Sequence, residues 1–221
     1  MQLVDVSTDY STGVVYARLA WFLLSFPNQT VRMIKNISVI GAGTMGNGIA
    51  HVFAQHHFNV TLIDISEQQL QKAISTISKN LDRQIAKELI NEEQKAVILQ
   101  HIKTETEISE GVATAQLVVE AATENEAIKL QLFKQADEAA PPDCILASNT
   151  SSISITRIAA ATQRPQQVIG MHFMNPVPVM KLVEVINGYA TSNFVTGTIV
   201  GLSKQLGKTP ALATDYPGFV A

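Results

Sequence analysis

A glycine-rich hexapeptide, Gly41-Ala42-Gly43-Thr44-Met45-Gly46, follows the apolar run Ile37 to Ile40 and leads straight into a helical pattern, Asn47 to Gln55. This order constrains the fold more than any other feature, because a strand that turns on glycine into a helix opens a βαβ unit. Parallel strands need a crossover, and the crossover is usually helical, so strands and helices should alternate downstream.

They do. Asn59 to Ile63 has the β-branched content of a second strand, and Ser66 caps a long polar helix reaching about Lys87. Asn91-Glu92-Glu93-Gln94 opens another helix, Ile102 to Thr104 is a short strand, and Leu117 to Glu120 is an apolar run of the buried kind. The helix Glu126 to Ala139 stops at Pro141-Pro142, and Ile145 to Ala147 is the next strand. A polar turn, Ser148 to Ser152, precedes a short helix, Ile153 to Ala161. Strands Gln167 to Phe173 and Lys181 to Ile186 flank the loop Asn175-Pro176-Val177-Pro178. A helix from Ser192 to Leu206 closes on Gly207, and Pro210 assigns the strand Thr209 to Ala213 to an edge. The pattern predicts an α/β, doubly wound Rossmann-type fold. Its sheet is mostly parallel, with an antiparallel strand pair near the C-terminal end.

Composition excludes several classes. With 46% apolar and 16% charged residues the chain can bury a core and lacks the signature of disorder. A formal net charge of -3 with dispersed Lys and Arg gives no electrostatic footprint for nucleic acid. The single cysteine, Cys144, forms no intramolecular disulfide, no zinc-type spacing is present, and a reducing, cytoplasmic setting fits. The apolar run Leu19 to Phe26 is too short to span a bilayer, which takes roughly 20 residues. With Asp5 and Asp9 ahead of it and no basic residue before Arg18, it also makes a poor signal peptide. Residues 1–32 are therefore expected to be an extension of doubtful structure, and 33–215 the dinucleotide-binding domain.

In a doubly wound sheet, ligands bind beyond the carboxyl ends of the strands. There Gly41 permits a tight turn, Gly43 lets the backbone approach a pyrophosphate, and Gly46 allows close packing of the helix on the strand. Ala42, Thr44 and Met45 complete the turn, whose helix N-terminus offers free amides and a positive dipole end. Asp64, 23 residues after Gly41, suits the hydroxyls of an adenosine ribose and would repel a 2′-phosphate, so NAD is expected over NADP. An ordinary helix-capping aspartate is the competing reading.

Glu184, set among Leu182, Val183, Val185 and Ile186, needs a partner if its carboxylate is ionised. A wide hairpin centred near Pro178 would bring it opposite His172. A carboxylate on one imidazole nitrogen leaves the other basic, the usual arrangement of a general base.

GAGTMGNGIA at 41–50, SNTSS at 148–152 and HFMNPVPVMKLVEV at 172–185 together resemble the 3-hydroxyacyl-CoA dehydrogenase family, from about Ile34 to the last residue. The resemblance implies NAD-dependent oxidation of an L-3-hydroxyacyl-CoA, short-chain by the look of the MIKNISVIGAGTMGNGIA opening. His172 is then the base, Glu184 its orienting partner, and Ser151 a contact to the substrate hydroxyl. Capping of the following helix by Ser151 or Ser152 is the alternative. Glu124 and Lys129 match residues near the nicotinamide, with solvated helix-start charges as the competing reading. Asn80 and Lys87 fall where the family contacts CoA, with ordinary exposed positions as the alternative. The resemblance further implies a homodimer formed through a helical domain of which 216–221 would be the truncated start. A non-catalytic NAD-binding fragment, or a member of the wider β-hydroxyacid dehydrogenase group, are the other readings.

Overall fold

The computed structural model describes residues 34–216; the expectations for residues 1–32 and for the segment beyond Tyr216 lie outside them. Eight strands form one sheet, β1 Asn36–Ile40, β2 Asn59–Ile63, β3 Ile102–Glu105, β4 Leu117–Glu120, β5 Ile145–Ser148, β6 Val168–Phe173, β7 Leu182–Asn187 and β8 Thr209–Thr214, in the order β3-β2-β1-β4-β5-β6-β7-β8. Among the described residues only β6 and β7 pair antiparallel. The helices are α1 Thr44–Gln55, α2 Glu67–Ile85, α3 Glu92–Gln100, α4 Ile108–Val112, α5 Glu126–Ala139, α6 Ile155–Ala159 and α7 Asn193–Gln205.

Alternation along each strand divides the core. Val39, Leu62, Val119, Ala147, Met171, Val183 and Val185 pack with α1, α2, α3 and α7. Ile40, Val118, Leu146 and Ile186 pack with α4, α5 and α6 on the opposite face. A strand buried on both faces is apolar nearly throughout, as β4 and β5 are up to their last residues; in β1 the buried Ser38 is satisfied by donating to the Gly111 carbonyl at 2.6 Å.

The helix boundaries have local causes. Ser66 Oγ accepts from Gln69 N, and Leu70, Ala73, Ile77 and Leu81 line the buried stripe of α2. Asn91 and Gln94 form a capping box at α3. Ser192 caps α7, and Gly207, at φ 67, ends it in the left-handed conformation.

Three of the boundary differences from the sequence reading bear on the site. The first helix starts at Thr44, so Gly46 is helical and the turn shorter than its motif. Ser148 completes β5 instead of opening the turn, and α6 begins at Ile155 on an Ser154 cap, whose Oγ accepts from Arg157 N. The one-turn helix α4 has no counterpart in the sequence pattern. Its Gly111 lies where a Cβ would stand 2.5 Å from Ile63 Cδ1, and so short an element has no periodicity to betray it. The edge position of β8 agrees with Pro210.

Candidate active site

The glycine turn sits at the switch point between β2-β1 and β4. Gly41 has φ 100, and a Cβ there would stand 2.6 Å from Ala122 Cα, so the turn lies directly on the backbone that follows β4. At Gly46 a Cβ would stand 1.7 Å from the Gly41 carbonyl oxygen. The helix thus packs chiefly on its own turn, with Val39 of the strand 3.7 Å away. Gly43 is different. Nothing lies within 4 Å of its Cβ position, so no protein atom demands glycine there. Gly43 is also the N-cap of α1 and supplies no side-chain cap, so the first amides of the helix face the open side.

Asp64 ends β2 beside this turn. One carboxylate oxygen accepts from Ala42 N at 2.9 Å and the other from Ser66 N at 3.0 Å. Asp64 braces the turn while Ser66 does the capping, and each oxygen keeps a lone pair for a further donor.

Across β4 and β5, a buried carboxylate organises the next two loops. Glu120, 1% exposed, accepts from Ala122 N through Oε1, and from Lys129 Nζ and Ser148 Oγ through Oε2 at 2.5 and 2.9 Å. Lys129 is 2% exposed and is therefore no solvated helix-start charge. Above this pair, Glu124 accepts from Thr150 Oγ1, Ser151 N and Ser151 Oγ at 2.8, 2.8 and 3.1 Å. Burial raises the Glu124 pKa, but the hydrogen bonds from Ser151 and Thr150 and the charge of Lys129 together hold it below the ordinary value. Ser151 does not cap α6. That helix is held by Ser154 and by Asp215, which accepts from Ser154 Oγ, Ile155 N and Thr156 N at 2.7, 2.9 and 2.8 Å.

The antiparallel pair supplies the dyad. His172 lies opposite Glu184 in register, and His172 Nδ1 stands 2.8 Å from Glu184 Oε2. Glu184 is 1% exposed, whereas the histidine is only half-buried. Asn149 Oδ1 accepts from Phe173 N at 2.8 Å, which ties the loop carrying Ser151 to the strand end carrying His172.

One cavity borders the turn, and a second shares Asn80, Pro176 and Pro178 with it. The first, of about 250 Å³, lies between Ala42, Gly43 and Thr44, the α2 residues Lys72 and Asn80, and the loop Asn175–Pro178. The other, of about 490 Å³, is bounded by His51, Asn80, Arg83, Lys87 and Pro178. Asn80 thus borders both, half-buried and accepting from Arg83 at 2.9 Å, and Lys87 borders the second as an exposed side chain. A larger hollow, of about 790 Å³, opens on the far side of Asp64 and contains no dyad residue. Asn149 and Asn175 stand within motifs that the sequence reading quoted, but it gave them no role. Their signal, a polar side chain just past a strand end, was present.

A family model described as 3-hydroxyacyl-CoA dehydrogenase, NAD binding domain, matches residues 36–216. The chain belongs to this family. It is 45% identical over 188 residues to the 3-hydroxybutyryl-CoA dehydrogenase of Bradyrhizobium diazoefficiens, covering 85% of this chain and 64% of the relative. Identity to the mitochondrial hydroxyacyl-coenzyme A dehydrogenase of Homo sapiens is 44% over 194 residues, covering 85% and 62%. The crystal structure of (S)-3-hydroxybutyryl-CoA dehydrogenase from Ralstonia eutropha superposes with a TM-score of 0.83 at 48% identity, covering 86% of this chain and 66% of that one. The chain thus spans less than two thirds of the length of these curated relatives. Its cofactor is NAD, as the family description states, and the turn fits it: open space at Gly43, uncapped amides and a carboxylate at the end of β2. Among the described residues no helix is long and apolar enough to cross a membrane.

Proposed function

We propose that this domain serves the NAD-dependent oxidation of an L-3-hydroxyacyl-CoA, of which 3-hydroxybutyryl-CoA is the expected example, with His172 as general base. The observation that carries the proposal is the contact at 2.8 Å between His172 Nδ1 and the buried carboxylate of Glu184. With Nδ1–H donated to Glu184, the lone pair of Nε2 is free to take the 3-hydroxyl proton. Glu184 orients the ring and stabilises the imidazolium that forms. NAD, when bound, accepts the hydride released from C3. Ser151 donates its hydroxyl hydrogen to Glu124 in this structure and can turn it to the substrate oxygen, which leaves the one hydroxyl proton of the substrate to His172.

Asp64 holds the adenosine ribose, Gly41 to Gly46 receive the pyrophosphate, and Glu124 and Lys129 serve the nicotinamide side. Asn80 and Lys87, with Arg83 beside them, suit the phosphates of the CoA moiety. A cytoplasmic setting fits a sequence whose single cysteine, Cys144, has no second cysteine with which to form a disulfide. Assembly as a homodimer belongs to the same reading.

The test joins this chain to the remaining third of the Bradyrhizobium relative and supplies 3-hydroxybutyryl-CoA and NAD. The joined polypeptide should form NADH, and His172→Gln should lower kcat by about 10²- to 10⁴-fold with NADH binding intact. Near-wild-type kcat in that variant would remove the base assignment. NADH binding without turnover, in the chain alone and in the joined form, would favour the non-catalytic reading. Light scattering of the joined form tests the dimer.

A further inference from the structure

Lys208 is a buried cation that the proposed chemistry leaves unused. It follows the left-handed Gly207 at the entrance to β8 and is 8% exposed. Its Nζ donates to the main-chain carbonyls of Val177 and, at 2.7 Å, Met180. Among the described residues no carboxylate stands within ion-pairing distance of it. An ammonium held away from water by neutral acceptors alone is costly, and burial lowers its pKa accordingly. An apolar side chain would fill the same space without that penalty, so the two charge-assisted bonds matter for what they hold.

What they hold is the loop between β6 and β7. Within it, Val179 N and Met180 N both return to the Pro176 carbonyl, at 3.0 and 2.9 Å, and Thr209 N donates to the Lys181 carbonyl at 2.7 Å. Val177, 2% exposed, leans on α1 so closely that a Cβ on Gly48 would stand 2.9 Å from its own Cβ. The other side of the loop, Asn175–Pro178, faces Ala42, Gly43 and Thr44 across the cavity of about 250 Å³. Lys208 therefore stands behind a wall whose front faces the phosphate-binding turn.

We propose that Lys208 is a positioning residue of the cofactor cleft, fixing the Asn175–Pro178 wall opposite the glycine turn through the carbonyls of Val177 and Met180. The inference rests on the reading of that turn as the pyrophosphate site. AMP requires only Asp64 and the first part of the turn, whereas NADH must also pass beneath the wall. Loss of the clamp should therefore separate the two ligands.

The experiment measures NADH and AMP affinity by calorimetry for the wild-type chain, Lys208→Met and Lys208→Arg. Methionine keeps the length and loses both donors; arginine keeps charge and donors. Lys208→Met should raise the Kd for NADH about tenfold or more and leave that for AMP within about twofold, the size expected for losing a charge-assisted bond. Lys208→Arg should recover most of the NADH affinity. If the methionine variant does not fold, Lys208→Gln, with one amide for two carbonyls, gives the same comparison. An unchanged NADH Kd with only a lower Tm would reduce Lys208 to a brace of the fold and overturn the proposal, as would equal losses for NADH and AMP. Failure of the wild-type chain to bind NADH would overturn the cofactor reading as well, whereas wild-type binding that Lys208→Met leaves intact sinks the proposal alone.

Discussion

One oxygen of Glu124 receives both the N–H and the hydroxyl of Ser151, at 2.8 and 3.1 Å. The carboxylate thereby sets the direction of the serine hydroxyl, turning its hydrogen inward and its lone pairs outward. In Glu124→Gln an amide can occupy that place, and Ser151 loses its fixed orientation. The expected outcome in the joined polypeptide is a fall in kcat of about tenfold with a melting temperature close to wild type. Steady-state kinetics with 3-hydroxybutyryl-CoA decide it, and an unchanged kcat would show that the orientation of Ser151 is irrelevant to turnover.

Gly43 and Gly46 should separate binding from folding. Gly43→Ala meets nothing within 4 Å and adopts φ -67, so stability should hold while NADH affinity falls, because the methyl group enters the space of the pyrophosphate. Gly46→Ala puts a methyl 1.7 Å from the Gly41 carbonyl, which forces the turn and helix apart. A loss of about 3 kcal/mol or more is expected in urea unfolding, the upper range for overpacking. The opposite ranking in stability would mean that the turn relaxes more freely than its geometry suggests.

The pair Glu120–Lys129 should behave as a buried unit. Removing one partner, as in Lys129→Met, leaves a carboxylate that is 1% exposed without its cation, and about 3 to 5 kcal/mol of stability should be lost. Glu120→Leu combined with Lys129→Met should be markedly less damaging than either single change. Additive losses in a double-mutant cycle would contradict that coupling.

His51 makes stability depend on pH. Its pKa falls from 6.5 to about 4, chiefly through burial and secondarily through the charge of Lys208, and its Nδ1 has no hydrogen-bond partner. The unfolded chain binds a proton near pH 6.5 that the folded chain refuses until about pH 4, so stability must drop as pH falls through that window. Between pH 7 and pH 5 the His51 contribution amounts to about 2 kcal/mol. His51→Gln should flatten the dependence by that amount in urea titrations at the two pH values; parallel curves for both proteins would show that His51 protonates freely in the fold.

The legible parts of this molecule were those whose determinants lie close together in sequence. Strand, turn and α1 span twenty residues, Asn36 to Gln55, and each step has its own local cause. His172 and Glu184 could be matched because a hairpin makes distance from its centre equivalent to pairing. Long-range packing was not legible. The burial of Lys129 depends on Glu120 and Ser148 converging from two strands, and the cap of α6 by Asp215 arrives from beyond β8. Choosing Ser154 over Ser151 or Ser152 as the capping serine likewise required knowing that Glu124 had already taken Ser151.

The reversal of β7 relative to β6 makes the dyad a matter of counting. Met171 faces Val185, His172 faces Glu184 and Phe173 faces Val183. Because side chains alternate between faces, one residue added to or removed from the segment between Phe173 and Leu182 would set a valine against the histidine. The carboxylate would then pass through the sheet to the face occupied by α1 and α7. The parity of the intervening loop, apart from the packing of its own side chains, thus decides whether the histidine meets its carboxylate.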